Sequence, residues 1–189
     1  MCLVDKLKSR RPKGATDKEI QKFHQLAQTI VLTSQGIPFI YAGEEIYRDK
    51  KGVNNTYKSP DNINQINWDN KKTYNHIFNY YKDLIALRKS HSAFRMTTGE
   101  MVRKHFHFID TKVPNVIAYQ LSDNANGDEW NNIMVIFNGN RKNVKISLPK
   151  GTWNVAVENG KVGLEKPLRT VSSEKITVKA SSATILYQK

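Results

Sequence analysis

From about Arg103 to the C-terminus the apolar residues change period, from helical to two. That change constrains the fold more than any other feature of the chain. Seven short runs follow it: His105–Ile109, Val116–Leu121, Ile133–Phe137, Val144–Leu148, Trp153–Val157, Ile176–Val178 and Ala183–Tyr187. Turn signals separate them at Pro114-Asn115, Asn126-Gly127, Asn138-Gly139, Pro149 to Gly151 and Asn159-Gly160. Short strands at this spacing predict an antiparallel β-sandwich. The boundary with what precedes falls near residues 96–103, so the expected division is 1–100 and 101–189. No internal repeat is apparent.

The first part reads as helical. Thr16 with Glu19 three residues on forms a capping box, and Ile20, Phe23, Ala27, Ile30 and Val31 recur at helical spacing, which predicts a helix over Thr16–Gln35. Lys71–Ser90 is the second main helix, with Tyr74, Ile77, Phe78, Tyr81, Leu84, Ile85 and Arg88 on one stripe and Asp69 or Asn70 as cap. Between them lies Ser34-Gln-Gly-Ile-Pro-Phe-Ile-Tyr-Ala-Gly-Glu-Glu-Ile-Tyr47. Gly36 closes a helix, Pro38 forbids its continuation, and Phe39-Ile40-Tyr41 predicts a short strand buried on both faces. Arg48–Asn67 has the composition of a loop, and a loop of that length in a compact domain is often functional. Leu3, Val4 and Leu7 start the chain abruptly, with no capped element before them.

Composition narrows the function classes. The net charge of +13 raises the question of a polyanion partner, but 17 basic and 10 acidic residues fall in 1–100, against 13 and 7 in 101–189. The excess is spread, no nucleic-acid-binding signature accompanies it, and a solvated basic surface is the expectation. No window is long and apolar enough to span a membrane, and no apolar h-region follows Met1. The chain is therefore expected to be soluble, without an export signal of its own; the compartment stays open. The single Cys2 excludes an internal disulfide framework and a cysteine zinc site.

Few side chains suggest chemistry. Glu44 and Glu45 arrive where the predicted strand ends, yet adjacent residues on a strand point to opposite faces, which argues against a catalytic pair and for a structural Glu45. Asp5 is an isolated carboxylate with no visible partner. Asp61, Asn62 and Asn64 are hard-oxygen ligands that suit either calcium or a loop of Asx turns. His105 and His107 would share one strand face, as a packed or surface pair. His24 is expected to pack within the first helix. Trp130, Trp153, Tyr119 and Tyr187 sit at alternating strand positions that favour a core over a sugar platform.

Three stretches resemble a known family. The run Gln28 to Glu45, with Ser-Gln-Gly-Ile-Pro-Phe followed by Ala-Gly-Glu-Glu, is similar to the last strand of the catalytic barrel in the α-amylase superfamily. The loop Gly52–Trp68, containing Asn-Asn-Thr-Tyr-Lys-Ser-Pro-Asp-Asn-Ile-Asn-Gln-Ile-Asn-Trp, resembles that of type I pullulanases, as does the helix ending Leu84-Ile-Ala-Leu-Arg-Lys-Ser. The resemblance implies an α+β chain: an incomplete (β/α)8-barrel segment of two main helices and one buried strand, followed by the sandwich. It implies an enzyme acting on α-1,6-glucosidic bonds of branched α-glucans. Its nucleophile, its acid/base and its His-Asp pair would all lie upstream of this chain, which would then be inactive alone. No cofactor is expected and no metal ligand set is assigned. The resemblance also implies substrate contact at Asn55, Tyr57 and Asp61, since glucan recognition uses aromatic faces and amides, although the same residues would serve simply to order the loop. Helix faces that pack on a barrel, including Phe23, Ile30 and Tyr81, would favour self-association when the barrel is missing. The rival readings are a non-catalytic carbohydrate-binding or structural module and, on charge alone, a polyanion-binding protein.

Overall fold

The computed structural model describes residues 2–189. Helices α1 (Leu3–Ser9), α2 (Asp17–Thr33), α3 (Asp61–Asn64), α4 (Asn70–Thr73), α5 (Asn75–Ser90) and α6 (Gly99–His105) precede nine strands. These are β1 (Phe106–Ile109), β2 (Val116–Leu121), β3 (Asn132–Asn138), β4 (Val144–Ser147), β5 (Trp153–Glu158), β6 (Lys161–Val162), β7 (Arg169–Val171), β8 (Lys175–Val178) and β9 (Ser182–Gln188). Each of the seven apolar runs is a strand. The short β6 and β7 are additional, since two or three half-exposed residues carry no legible period. Asn159 and Gly160 both take positive φ (48° and 77°), as a two-residue hairpin between β5 and β6 requires.

All pairing is antiparallel. The large sheet runs β1-β2-β3-β9-β5-β6, with β7 also on β5, and β4-β8 form a separate ribbon. Side chains of the large sheet alternate between two cores. Ala118, Met134, Ile136, Trp153, Val155 and Leu186 meet Val144, Ile146, Ile176 and Val178 of the ribbon. On the other face Tyr119, Leu121, Ile133, Val135, Phe137, Ile185 and Tyr187 meet Leu32, Tyr81, Leu84 and Leu87 of α2 and α5. A register shift between Val155 and Val157 lets β5 serve both cores. Each fully buried aliphatic contributes about 1.5–3 kcal/mol, so a sheet covered on both faces is strongly held.

Several expectations are corrected. Phe39-Ile40-Tyr41 is not a strand, and Phe39 is 89% exposed rather than buried. A strand needs a neighbour to take its backbone hydrogen bonds, and none lies beside this segment among the described residues. The second main helix is broken at Tyr74 (φ −110°, ψ 37°), whose ring packs on Tyr47 with centroids 4.7 Å apart. Residues 3–9, to which no element was assigned, form α1. The buried face of α2 is Ile20, His24, Leu26, Gln28, Thr29, Leu32 and Thr33, rotated away from Phe23 and Val31. Its hydroxyls are satisfied locally: Thr29 Oγ1 donates to the Gln25 carbonyl and Thr33 Oγ1 to the Thr29 carbonyl, each at 2.7 Å. Tyr119 Oη donates to the Thr33 carbonyl at 2.8 Å, joining helix to sheet. Tyr81 is covered, so the helix faces are less open than the self-association argument assumed; Ile30 stays 39% exposed. Trp130, Trp153, Tyr119 and Tyr187 are all buried, as expected of a core, and offer no platform. His105 ends α6 and is buried with Nδ1 2.8 Å from the Ser122 carbonyl, while His107 is exposed on β1. They share no face.

One clamp joins the end of α5 to the β2–β3 connection. Buried Asp128 accepts the Ala93 N–H at 3.0 Å and the Trp130 N–H at 2.9 Å, and pairs with His91 Nδ1 at 3.0 Å. His91 stacks on Trp130, which stacks on Tyr187, with ring centroids 3.4 and 3.8 Å apart.

Candidate functional site

The polar segment after α2 is ordered by buried charges rather than by secondary structure. Gly43 turns the chain at φ 93°, and a Cβ there would lie 2.6 Å from Arg48 Cδ, so glycine is required twice over. Its N–H donates to Glu45 Oε2 at 3.0 Å. Arg48 then donates to the Ala42 carbonyl at 3.0 Å and to the Asn64 carbonyl, pinning the start of the loop to α3. Lys50, only 8% exposed, donates to Thr56 Oγ1 at 2.6 Å and to Asn64 Oδ1 at 3.0 Å. The Asn64 amide N–H groups return to the Thr56 and Ser59 carbonyls at 2.7 and 2.9 Å. An ammonium on Asn64 Oδ1 removes that oxygen from any calcium set, which leaves the Asx-type reading of the loop.

Asp5 does have partners. Buried on α1, it accepts the Lys50 and Gly52 N–H groups, both at 2.9 Å, and so anchors the loop to the first helix. Glu44 and Glu45 lie on a 3₁₀ turn, Glu44–Ile46, not at a strand end. Glu44 is buried, with Oε2 3.1 Å from His24 Nε2 and Oε1 accepting the Leu3 N–H at 3.1 Å. Burial, with help from Asp5 and Glu44, pushes the Cys2 thiol up to about 11 and keeps it protonated. Burial and the nearby Glu44 and Glu45 likewise push the Tyr81 hydroxyl upward.

These anchors shape a hollow of about 490 Å³ bordered by Tyr41, Glu44, Lys50, Asn54, Asn55 and Tyr57. Asn55 and the 77%-exposed Tyr57 are therefore brought together. Asp61 is exposed at the first residue of α3 and does not line the hollow. The hollow presents two aromatic rings, amides and an ammonium, the groups that grip a polyhydroxylated ligand. It presents one carboxylate, and both oxygens of that carboxylate are engaged. Retaining glycoside hydrolysis needs two carboxyl groups about 5–5.5 Å apart across the bond. Another hollow, of about 310 Å³ between α2, α6 and the β1–β3 face, is lined by Ile30, Val102, Phe106, Phe108, Ile117 and Phe137 and has little to offer a sugar's hydroxyls. Sequence reasoning missed Tyr41, Arg48, Lys50 and Asp5 as builders of the site. No local pattern marks a charged residue as buried.

Comparison with known proteins finds similarity to pullulanases. Residues 102–161 match the family described as pullulanase, all-beta domain. The chain is 39% identical over 133 residues to the pullulanase of Bacillus subtilis strain 168, covering 70% of this chain and 18% of that protein. The structure superposes on the pullulanase from Bacillus acidopullulyticus with a TM-score of 0.94 at 37% identity, over 100% of this chain and 23% of that one. It superposes on the type I pullulanase from Bacillus subtilis strain 168, solved with maltose, with a TM-score of 0.90 at 32% identity, over 98% of this chain and 25% of that one. The chain spans about a fifth of the length of the curated relatives it matches.

Proposed function

Because the chain belongs to the pullulanase family, matching a C-terminal portion of its much longer members, we propose that it is the C-terminal part of a glycoside hydrolase that cleaves α-1,6-glucosidic bonds in branched α-glucans. Residues 1–100 supply the end of a (β/α)8 catalytic barrel and residues 101–189 the β-sandwich that follows it. The catalytic carboxylates belong to the preceding part of the longer protein. The observation that carries this reading is the superposition on a pullulanase along the whole chain. The engagement of Glu44 by His24 and Leu3, and of Glu45 by Gly43, supports a structural duty for both. The chain alone is expected to release no reducing ends from pullulan above a no-protein blank. Turnover above that blank overturns the reading.

Asn55 and Tyr57 contact the glucan in this reading, on the strength of their shared hollow; Asp61, outside it, contributes to the rim of the longer protein's cleft. The maltose-bound relative supports an α-glucan ligand. Tyr57→Ala removes one sugar-facing ring, a loss of about 0.5–1.5 kcal/mol or roughly twofold to thirteenfold in affinity. Titration of the chain with maltotetraose, followed by calorimetry, measures it. Equal affinity of wild type and variant removes Tyr57 from the site.

A further inference from the structure

The polar segment between Tyr47 and Tyr74 borders a hollow of about 290 Å³ that shares no lining residue with the one at Asn55 and Tyr57. Its aromatic wall is Tyr47 and Tyr74. Tyr47 takes φ 60°, uncommon for a bulky residue, and its ring meets Tyr74 where α4 breaks from α5. Its polar wall is Asn62, Gln65, Asn67 and Asn70. Among the described residues, the side-chain amides of Asn62, Gln65 and Asn70 bond nothing within the chain. Asn67 uses only Oδ1, which accepts the Asp69 N–H at 3.1 Å. Arg48, 7% exposed, also lines the hollow, and its Nε–H has no partner among the described residues. An unmet buried donor is costly, and a ligand oxygen entering beside it would relieve that cost. The amides and this N–H thus offer hydrogen bonds that the chain itself does not use.

We propose that this hollow binds a neutral saccharide, a short stretch of α-glucan. Charge selects a neutral ligand. The Asp49 carboxylate, held by Lys8 at 2.9 Å, opposes an anion, while Arg48 and Lys51 oppose a cation. Arg48 has also given Nη1 to the Ala42 carbonyl and Nη2 to the Asn64 carbonyl, so no bidentate fork is left for a phosphate or carboxylate. An amide both donates and accepts, as a sugar hydroxyl does. The two tyrosine rings give apolar cover to sugar C–H groups. The volume lies at the lower end of small-molecule pockets, about 300–1,000 Å³, so a short oligosaccharide fits rather than a long chain. The saccharide class comes from these groups. The choice of α-glucan rests on the proposed function.

The test is titration of the isotope-labelled chain with maltose, followed by the amide resonances in NMR spectra. In the wild type, the side-chain amides of Asn62, Gln65 and Asn70 should shift together and saturate with a common Kd. The double variant Asn62→Ala/Gln65→Ala removes exposed amides that bond nothing within the chain, so its melting curve should not move. Its maltose affinity, read at Asn70, should fall roughly fivefold or more, the loss of two neutral hydrogen bonds. Tyr57→Ala, in the other hollow, should leave the response at Asn62, Gln65 and Asn70 unchanged. No shift at these amides overturns the proposal. So does a double variant that binds like the wild type, or a response to sodium phosphate with none to maltose. The pattern of shifts separates this inference from the proposed function. A response at Asn55 and Tyr57 with none here refutes this site and spares the function. A response here with none there upholds this site and removes Asn55 and Tyr57 from glucan contact.

Discussion

Asp128→Ala is expected to destabilise the protein by about 3–5 kcal/mol, because it leaves three buried donors without their acceptor, each at a cost of about 1–3 kcal/mol. For a chain of this size that is a fall in Tm of about 6–20 °C. The loss is large because three donors depend on one carboxylate: the Ala93 N–H, the Trp130 N–H and His91 Nδ1. None has another partner near, and an unmet buried donor costs its full desolvation. The His91–Trp130–Tyr187 stack, which bridges α5 to β9, is aligned by the same carboxylate. Burial alone would raise the Asp128 carboxyl. The hydrogen bonds from His91, Ala93 and Trp130 outweigh it and hold the carboxyl below the ordinary range. A carboxyl lowered in the folded state stabilises fully above its unfolded value, about 3.9, and that stabilisation is lost as pH falls through the folded value. The gap between wild type and Asp128→Ala should thus be steady from neutral pH to about pH 4 and narrow below it. Thermal and urea unfolding across pH 3–7 measures both. A gap under about 1 kcal/mol, or one that stays constant down to pH 3, contradicts this account.

Arg88→Ala is expected to cost about 2–4 kcal/mol, since hydrogen bonds from a charged donor contribute about 1.5–3 kcal/mol each but are not additive. The guanidinium donates to the Leu32 carbonyl at 3.0 Å, the Ser34 carbonyl at 2.8 Å and the Gly36 carbonyl at 2.6 Å. It caps the C-terminal carbonyls of α2 from a different helix. Lysine at this position carries one compact ammonium in place of a planar fork, so Arg88→Lys should recover only part of the loss. Amide exchange at Ser34–Gly36 should quicken in both variants before global unfolding, because the last turn of α2 loses its closure. Wild-type exchange and stability in both would sink the argument.

Much of the β part was legible along the chain. Ile133-Met-Val-Ile-Phe137 reads as a strand, and it lies at the centre of the large sheet with α2 and α5 on one side and β4-β8 on the other. The Asn159-Gly160 turn and the Thr16/Glu19 capping box were equally plain, because each is decided by residues within a few positions of one another. The buried face of α2 was not. Phe23 and Val31 lost to His24 and Thr29, whose side chains pair with Glu44 and Tyr80. Periodicity ranks residues by hydrophobicity and has no knowledge of those partners.

The division between the two kinds of information is clearest at the site. The sequence by itself determined seven of the nine strands, where α2 begins, that the loop after Arg48 is polar, and which family the chain resembles. All of these are local patterns or direct matches of residue order. Tertiary structure alone decided that Asp5 holds the loop across 45 residues to Lys50, and that Glu44 turns inward to His24. It alone brought Asn55 and Tyr57 to one hollow with Tyr41 and left Asp61 outside. It also left Phe39, the centre of the apolar run that reads as most buried, in the open. Burial is a property of what a segment packs against, and a short apolar run cannot bury itself.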